Sequence, residues 1–150
     1  SFSDYLYLMS PQELHNYYKL SKSISTDSRT VKKGDIYFAL KGENFNGNNF
    51  AENAIQKGAS YAVVDDHKIS NPKFLKVKNS LESLQELAKL HRSKLQKTKV
   101  IALTGSNGKT TTKELINEVL KTKFKVDIIS EKSLNLPTVF LLEQKKKDMS

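Results

Sequence analysis

The stretch from Val100 to Thr112, VIALTGSNGKTTT, constrains the fold of this chain more than any other. A short apolar run ends in a glycine-bounded loop, followed by Lys-Thr and a helix-forming segment from Lys113 to Lys121. Strand, Gly-rich turn and helix N-terminus in that order are the layout of a phosphate-binding loop. Gly105 and Gly108 let the backbone turn tightly and bring its N–H groups close to phosphate oxygens, with Ser106 and Asn107 between them. The helix start adds unpaired N–H donors and partial positive charge, and Thr111 lies in that first turn. Lys109 places an ammonium on the β- and γ-phosphates, and the Thr110 hydroxyl is a ligand for Mg²⁺. The full pattern asks for glycine where this chain has Leu103, so the string is Gly-x-x-Gly-Lys-Thr, and its context carries the reading. The bland alternative is a plain βα turn with a surface lysine. The motif predicts a nucleoside triphosphate as ligand.

At 150 residues the chain has room for one domain or two small ones. An apolar fraction of 37% supports a core, and 27% charged residues are ordinary for a soluble protein. No apolar run is long enough for a membrane span, and the first residues lack the pattern of a secretory signal. There is no cysteine, hence no disulfide framework and no thiolate metal site, which fits a reducing cytoplasm. The net charge of +9 raises the question of nucleic acid. The lysines are scattered, few aromatics are interleaved with them, and no recognition motif appears. Attraction for anionic small molecules is the better reading, and nothing calls for nucleic acid, a membrane or an obligate protein partner.

Along the chain, Ser10-Pro11-Gln12-Glu13 predicts a capped helix running to Leu20. A short strand at residues 23–25 precedes the polar loop Thr26–Arg29. Lys33-Gly34-Asp35 is a turn before a strand over Ile36–Leu40, and residues 41–49 are a loop rich in glycine and asparagine. A short helix over 50–57 is capped by Asn49 and stopped by Gly58, with strands at 61–64 and 74–77. Asn79 and Glu82 open a long helix whose leucines at 81, 84, 87 and 90, with Ala88 and Leu95, form one apolar stripe. His91 in that helix reads as packing or surface, and His15 and His67 lie outside any metal-ligand spacing. A basic junction at Lys94–Lys99 separates domains 1–97 and 98–150. In the second, strands at 100–103 and 124–129 flank the nucleotide helix as a βαβ crossover in a parallel sheet. Residues 130–136 are a loop, and Pro137 opens a last helix toward Lys145–Lys147. The second domain is too short to close a nucleotide-binding sheet and reads as truncated.

TGSNGKTTTKE, from Thr104 to Glu114, resembles the ATP loop of the Mur ligases, the amide-forming enzymes of peptidoglycan precursor synthesis. STDSRTVKKGDIYFALKGENFNG, from Ser25 to Gly47, is similar to their N-terminal uridine-nucleotide domain, and FAENAIQKGASYAVVDD, from Phe50 to Asp66, continues it. The ALKGE run and the Lys113-Glu114 pair look most like the member that adds D-alanyl-D-alanine to UDP-N-acetylmuramoyl-tripeptide. The resemblance implies an α/β fold: a small uridine-nucleotide-binding domain, then the start of a parallel-sheet ATPase domain. It implies ATP and Mg²⁺ as cofactors, with Gly105 to Thr111 holding the triphosphate and Lys109 as the catalytic cation. ATP would phosphorylate the terminal carboxylate of the UDP substrate, and the incoming amine would attack that acyl phosphate.

By the same resemblance two loops would receive the UDP: Thr26, Ser28 and Arg29 from one, and Lys41, Gly42, Glu43, Asn44, Phe45, Asn46 and Gly47 from the other. Ser28 and Asn44 offer hydrogen bonds, and Arg29 and Lys41 offer charge to a pyrophosphate. The asparagines also serve as turn formers, and Arg29 has Asp27 or Asp35 as structural partners. Residues 132–138, KSLNLPT, are a shortened counterpart of an asparagine-rich loop near substrate and metal in the family. The family's further metal ligands, its carbamylated lysine and its C-terminal domain have no counterpart here, so this chain alone is not expected to ligate. A stand-alone UDP-sugar-binding module and a sibling ligase such as MurE remain open as alternatives.

Overall fold

The computed structural model describes residues 7–104, 109–129 and 138–145, of which 109 and 110 by their backbone only. The chain divides into two compact units, Ser1–Lys94 and Leu95–Ser150. In the first unit, strands β1 (Ile24–Ser25), β2 (Ile36–Phe38), β5 (Tyr61–Val64) and β6 (Phe74–Lys76) form a sheet in that order, every pair parallel. Its runs Ile-Tyr-Phe-Ala and Ala-Val-Val are continuously apolar because helices cover both faces. Period-two alternation divides them. Tyr37, Ala39, Ala62 and Val64 face helix α2 (Ala51–Gln56), where Ala51, Ala54 and Ala59 complete a small-residue layer. Ile36, Phe38, Val63 and Leu75 face helices α1 (Pro11–Leu20) and α3 (Ser80–Lys94), meeting Leu14 and Leu87.

Local signals fix the helix starts. The Ser10 hydroxyl accepts from the Glu13 N–H at 3.2 Å, and the Glu13 carboxylate accepts from the Ser10 N–H at 3.3 Å. The Asn79 side chain accepts from the Glu82 N–H at 2.9 Å. Gly58, at φ +110°, ends the α2 region in a conformation that side chains disfavour. The leucine stripe of α3 is narrower than its sequence implies. Leu87 is buried and Leu84 packs against the core, whereas Leu81 and Ala88 are exposed. The inward face instead follows Ser80, Leu84, Leu87 and His91, and His91 packs on His15 and Tyr18 of α1.

Residues 41–49 are more ordered than a loop. Lys41–Gly42 (β3) and Phe45–Asn46 (β4) pair as an antiparallel hairpin about Glu43 and Asn44, and Gly47–Phe50 is a 3₁₀ turn leading into α2. The cap expected from Asn49 is not made: α2 starts from Phe50 without a side-chain cap, and Asn46 caps the preceding 3₁₀ turn, its side chain accepting from the Asn48 N–H.

In the second unit, β7 (Lys99–Leu103), α4 (Lys109–Leu120) and β8 (Phe124–Ile129) follow the expected strand–helix–strand order. Two expectations are overturned. Residues Thr138–Gln144 form a strand, β9, rather than a helix, and β9 lies between β7 and β8, antiparallel to both. The β-formers Thr138, Val139 and Phe140 open this segment, and hydrogen bonding to two neighbours outweighs a local helix-start signal. Thr138, Phe140 and Leu142 alternate inward as its buried face. The segments expected as a loop over 130–136 and the end of the lysine run, Lys146–Lys147, lie outside the described residues.

Candidate functional site

The loops of the first unit converge at the C-terminal ends of its parallel strands, where open α/β sheets bind their ligands. An open cleft of about 410 Å³ lies there, lined by Thr26, Asp27, Ser28, Arg29, Phe45 and Phe50. One wall is the loop after β1. Asp27 builds it: its Oδ1 accepts from the Arg29 N–H at 2.9 Å, an Asx turn, and its carbonyl accepts from the Ser25 hydroxyl and the Thr30 N–H. The Arg29 guanidinium closes on the same carboxylate, Nη2 to Oδ2 at 2.8 Å and Nε to Oδ1 at 3.0 Å. That pairing holds the Asp27 carboxyl down at about 2. Lys57, at the end of α2, donates to the Ser28 carbonyl at 3.0 Å and ties the loop down.

The other wall is aromatic. Phe45 and Phe50 stack at 5.2 Å between centroids and 7° between planes, and both remain exposed. In the hairpin, Gly42 stands opposite Phe45 and Lys41 opposite Asn46, so these two pairs occupy opposite faces. Phe45 therefore faces the cleft while Lys41 turns away, its ammonium 2.9 Å from Asp65 Oδ1. Asp65 is the node behind the hairpin. Its Oδ1 also accepts from Asn48 Nδ2 at 2.9 Å, and its Oδ2 accepts from the Ser80 N–H at 3.1 Å. Buried Asn48 answers: its Oδ1 accepts from the N–H groups of Asp65 and Asp66, and its own N–H and Nδ2 donate to Asn46 Oδ1. Burial alone would raise the Asp65 carboxyl; the Lys41, Ser80 and Asn48 donors together hold it below its ordinary value.

Gly47 follows at the base of the hairpin. A Cβ there would meet the Leu40 carbonyl oxygen at 2.6 Å and the Leu40 nitrogen at 2.7 Å, and the Gly47 carbonyl accepts from the buried Tyr37 hydroxyl at 3.0 Å.

The structure thus brings Thr26, Ser28, Arg29 and Phe45 together at the cleft. Lys41, Asn46 and Gly47 stand behind the hairpin, and Gly42, Glu43 and Asn44 are exposed around its turn without lining the cleft. Sequence reasoning left out Phe50, Asn48, Lys57 and Asp65, and gave Asp27 only as a structural partner of Arg29. Phe45 and Phe50 carried a faint signal, two aromatics across a turn, but Phe50 reads as the first core residue of a helix. Of the two partners open to Arg29, Asp27 is the one used; Asp35 accepts from the Lys32 N–H instead.

In the second unit, β7 and α4 flank the glycine loop on the two sides that its motif requires, with Lys109, Thr110 and Thr111 in the first turn of α4. Gly105, Ser106, Asn107 and Gly108 lie outside the described residues. Among the described residues, no group of three His, Asp or Glu side chains could hold a metal ion, and no helix is long and apolar enough to cross a membrane.

A parallel-sheet α/β unit with a cleft at its strand ends, followed by strand, glycine loop and helix, defines a class of proteins with two α/β units in series. The profile of the "Mur ligase family, catalytic domain" matches residues 21–100, and that of the "Mur ligase middle domain" matches residues 103–150. The chain belongs to the Mur ligase family, the ligases of peptidoglycan precursor synthesis. The UDP-N-acetylmuramoyl-tripeptide–D-alanyl-D-alanine ligase of Bacillus subtilis is 41% identical over 107 residues, covering 69% of this chain and 23% of the relative. The UDP-N-acetylmuramoyl-L-alanyl-D-glutamate–2,6-diaminopimelate ligase of Clostridium tetani is 38% identical over 115 residues, covering 72% and 24%. Among solved structures, the MurF ligase of Thermotoga maritima in complex with ADP aligns with a TM-score of 0.57 at 31% identity, over 70% of this chain and 24% of that one. The chain spans about a quarter of the length of these relatives.

Proposed function

We propose that this chain is the substrate- and ATP-binding part of a MurF-type ligase of the cytoplasm, which joins D-alanyl-D-alanine to UDP-N-acetylmuramoyl-tripeptide. The observation that carries the reading is the cleft between the Asp27–Arg29 loop and the Phe45–Phe50 stack. A flat aromatic wall suits the face of a pyrimidine, and Thr26 and Ser28 offer it hydroxyls. Arg29 is the cation among the cleft-lining residues. Its bond to Asp27 is an exposed surface ion pair, weak in water, so a diphosphate of higher charge can draw the guanidinium away at little cost.

At the second unit, the Gly105–Thr111 loop would cradle the triphosphate, and Lys109 would stabilise charge on the γ-phosphoryl group as it passes to the substrate carboxylate. ADP leaves, the amine of D-alanyl-D-alanine attacks the acyl phosphate, and phosphate departs as the amide forms. Thr110 is the hard oxygen donor that would hold Mg²⁺, which would offset phosphate charge when bound. The ADP complex of the Thermotoga maritima relative supports a nucleotide in this family's fold.

The Lys113-Glu114 pair and the Bacillus subtilis relative favour D-alanyl-D-alanine as the amine; the Clostridium tetani relative supports diaminopimelate as the second reading. A chimera tests the first reading. Residues 21–150 replace the matching segment of the Bacillus subtilis ligase, and phosphate release is measured with each amine and its UDP substrate. Turnover is expected with D-alanyl-D-alanine and UDP-muramoyl-tripeptide, and Lys109→Ala is expected to abolish it. Turnover with diaminopimelate alone, or a fully active Lys109→Ala chimera, overturns the assignment.

A further inference from the structure

The hairpin of Lys41–Asn46 is too short to hold its own shape. Each strand has two residues, and an isolated two-stranded ribbon is marginal in water even at greater length. Yet it carries Phe45, half of the aromatic wall. Its order must come from elsewhere, and the hydrogen bonds show where. Lys41 and Asn46, the register pair at its open end, are both drawn to the rear: Lys41 binds Asp65 directly, and Asn46 binds Asn48, which binds Asp65 in turn. The Asp65 side chain is only 7% exposed, so the carboxylate end of these bonds is shielded, while the Lys41 side chain remains half exposed.

We propose that Asp65 is a positioning residue for the cleft, acting through Lys41 and Asn48 on the hairpin that carries Phe45. The proposal rests on the reading of the cleft as the nucleotide site, and it changes the part given to Lys41. This lysine serves the ligand by anchoring the hairpin, and it makes no contact with the diphosphate. Asp65 also accepts from the first N–H of α3 and directly follows β5, so the hairpin is tied to the start of that helix and to the end of that strand.

The test uses the 150-residue chain as wild type, Asp65→Asn, Lys41→Met and the double variant. Ring-proton shifts of Phe45 are recorded without ligand, and UDP affinity is measured by chemical-shift titration. In Asp65→Asn and in Lys41→Met the Phe45 ring signals are expected to lose the displacement caused by Phe50, while those of the core rings Tyr37 and Phe38 stay in place. UDP binding weakens roughly tenfold in each single variant, and the double variant is no weaker than Asp65→Asn, because both changes remove one shared contact. Unmoved Phe45 signals overturn the proposal. So does a further loss on adding Lys41→Met to Asp65→Asn, since that places Lys41 on the ligand. If Asp65→Asn fails to fold, Lys41→Met, which keeps the Asn48–Asp65 bonds, decides through the Phe45 signals alone. Wild-type protein that ignores UDP sinks the nucleotide reading, while the ligand-free ring shifts still judge the positioning.

Discussion

The two units treat their sheets differently. In the first, α2 covers one face and α1 with α3 the other, and Ile36, Phe38 and Val63 are wholly buried. In the second, Val100 and Ile101 of β7 and Ile128 and Ile129 of β8 stay exposed, as do Leu115 and Val119 of α4. Apolar burial stabilises by about 25 cal/mol per Å² removed from water, so similar apolar content yields a much firmer first unit. The firm unit holds a cleft with preset walls, and the second holds a glycine loop whose flanking strand and helix are half solvated.

That contrast can be broken at its strongest point by truncating a core ring. Phe38→Ala should lower the unfolding free energy of the first unit by about 3–5 kcal/mol, read from urea unfolding. Leu115→Ala in α4 should change stability by less than about 0.5 kcal/mol, as expected of a surface site. Comparable losses from both would erase the distinction. Amide exchange sharpens it next. N–H groups of β2 and β5 should exchange at least roughly tenfold more slowly than those of β7 and β8. Equal protection would mean that the second unit draws stability from a source other than burial.

A smaller effect lies where α1 meets α3. His15 Nε2 is 3.2 Å from His91 Nδ1, and burial first, then the charges of His91, Lys94 and Lys19, keep the His15 imidazole below its ordinary pKa. A histidine that is harder to protonate when folded gives its stability in full above about pH 6.5. That stability declines as pH falls through this value toward the lower folded one. His15→Gln should flatten the pH dependence of the first unit's thermal midpoint over this window; an unchanged slope would place the acid sensitivity elsewhere. The smallest effect is on the loop. A carboxyl titration should find Asp27 near 2 in the wild type, and Arg29→Met should return it toward the ordinary value of about 3.9. No shift in that variant would show that the Asx turn alone holds the charge.

What could be read ahead of the structure was what neighbours in sequence decide. The caps at Ser10 and Asn79 each depend on a residue three positions on, and the strands around Ile36 and Val63 announce themselves as apolar runs between turns. The Thr26–Arg29 wall was legible for the same reason: Asp27 and Arg29 find each other within two residues. The hairpin at Lys41–Asn46 was not, because two residues per strand leave no period to detect. The Asn48–Asp65 node joins residues 17 apart whose types alone suggest only turns and a strand end. β9 was misread for a related reason. Its choice between helix and strand depends on two pairing partners, one of them more than thirty residues upstream, and no local pattern records them.

Gly47 leaves a mark that a chemist looking for contacts would miss. The atoms a methyl group would strike are backbone atoms of Leu40 and Ala39, between β2 and β3, so no rotamer change can make room. The position is therefore closed to nineteen of the twenty amino acids for reasons of geometry alone. In a saturation scan it should appear as inflexible as any ligand-binding residue. Read naively, such a map would assign to ligand contact an intolerance that the close approach of two backbone segments already accounts for.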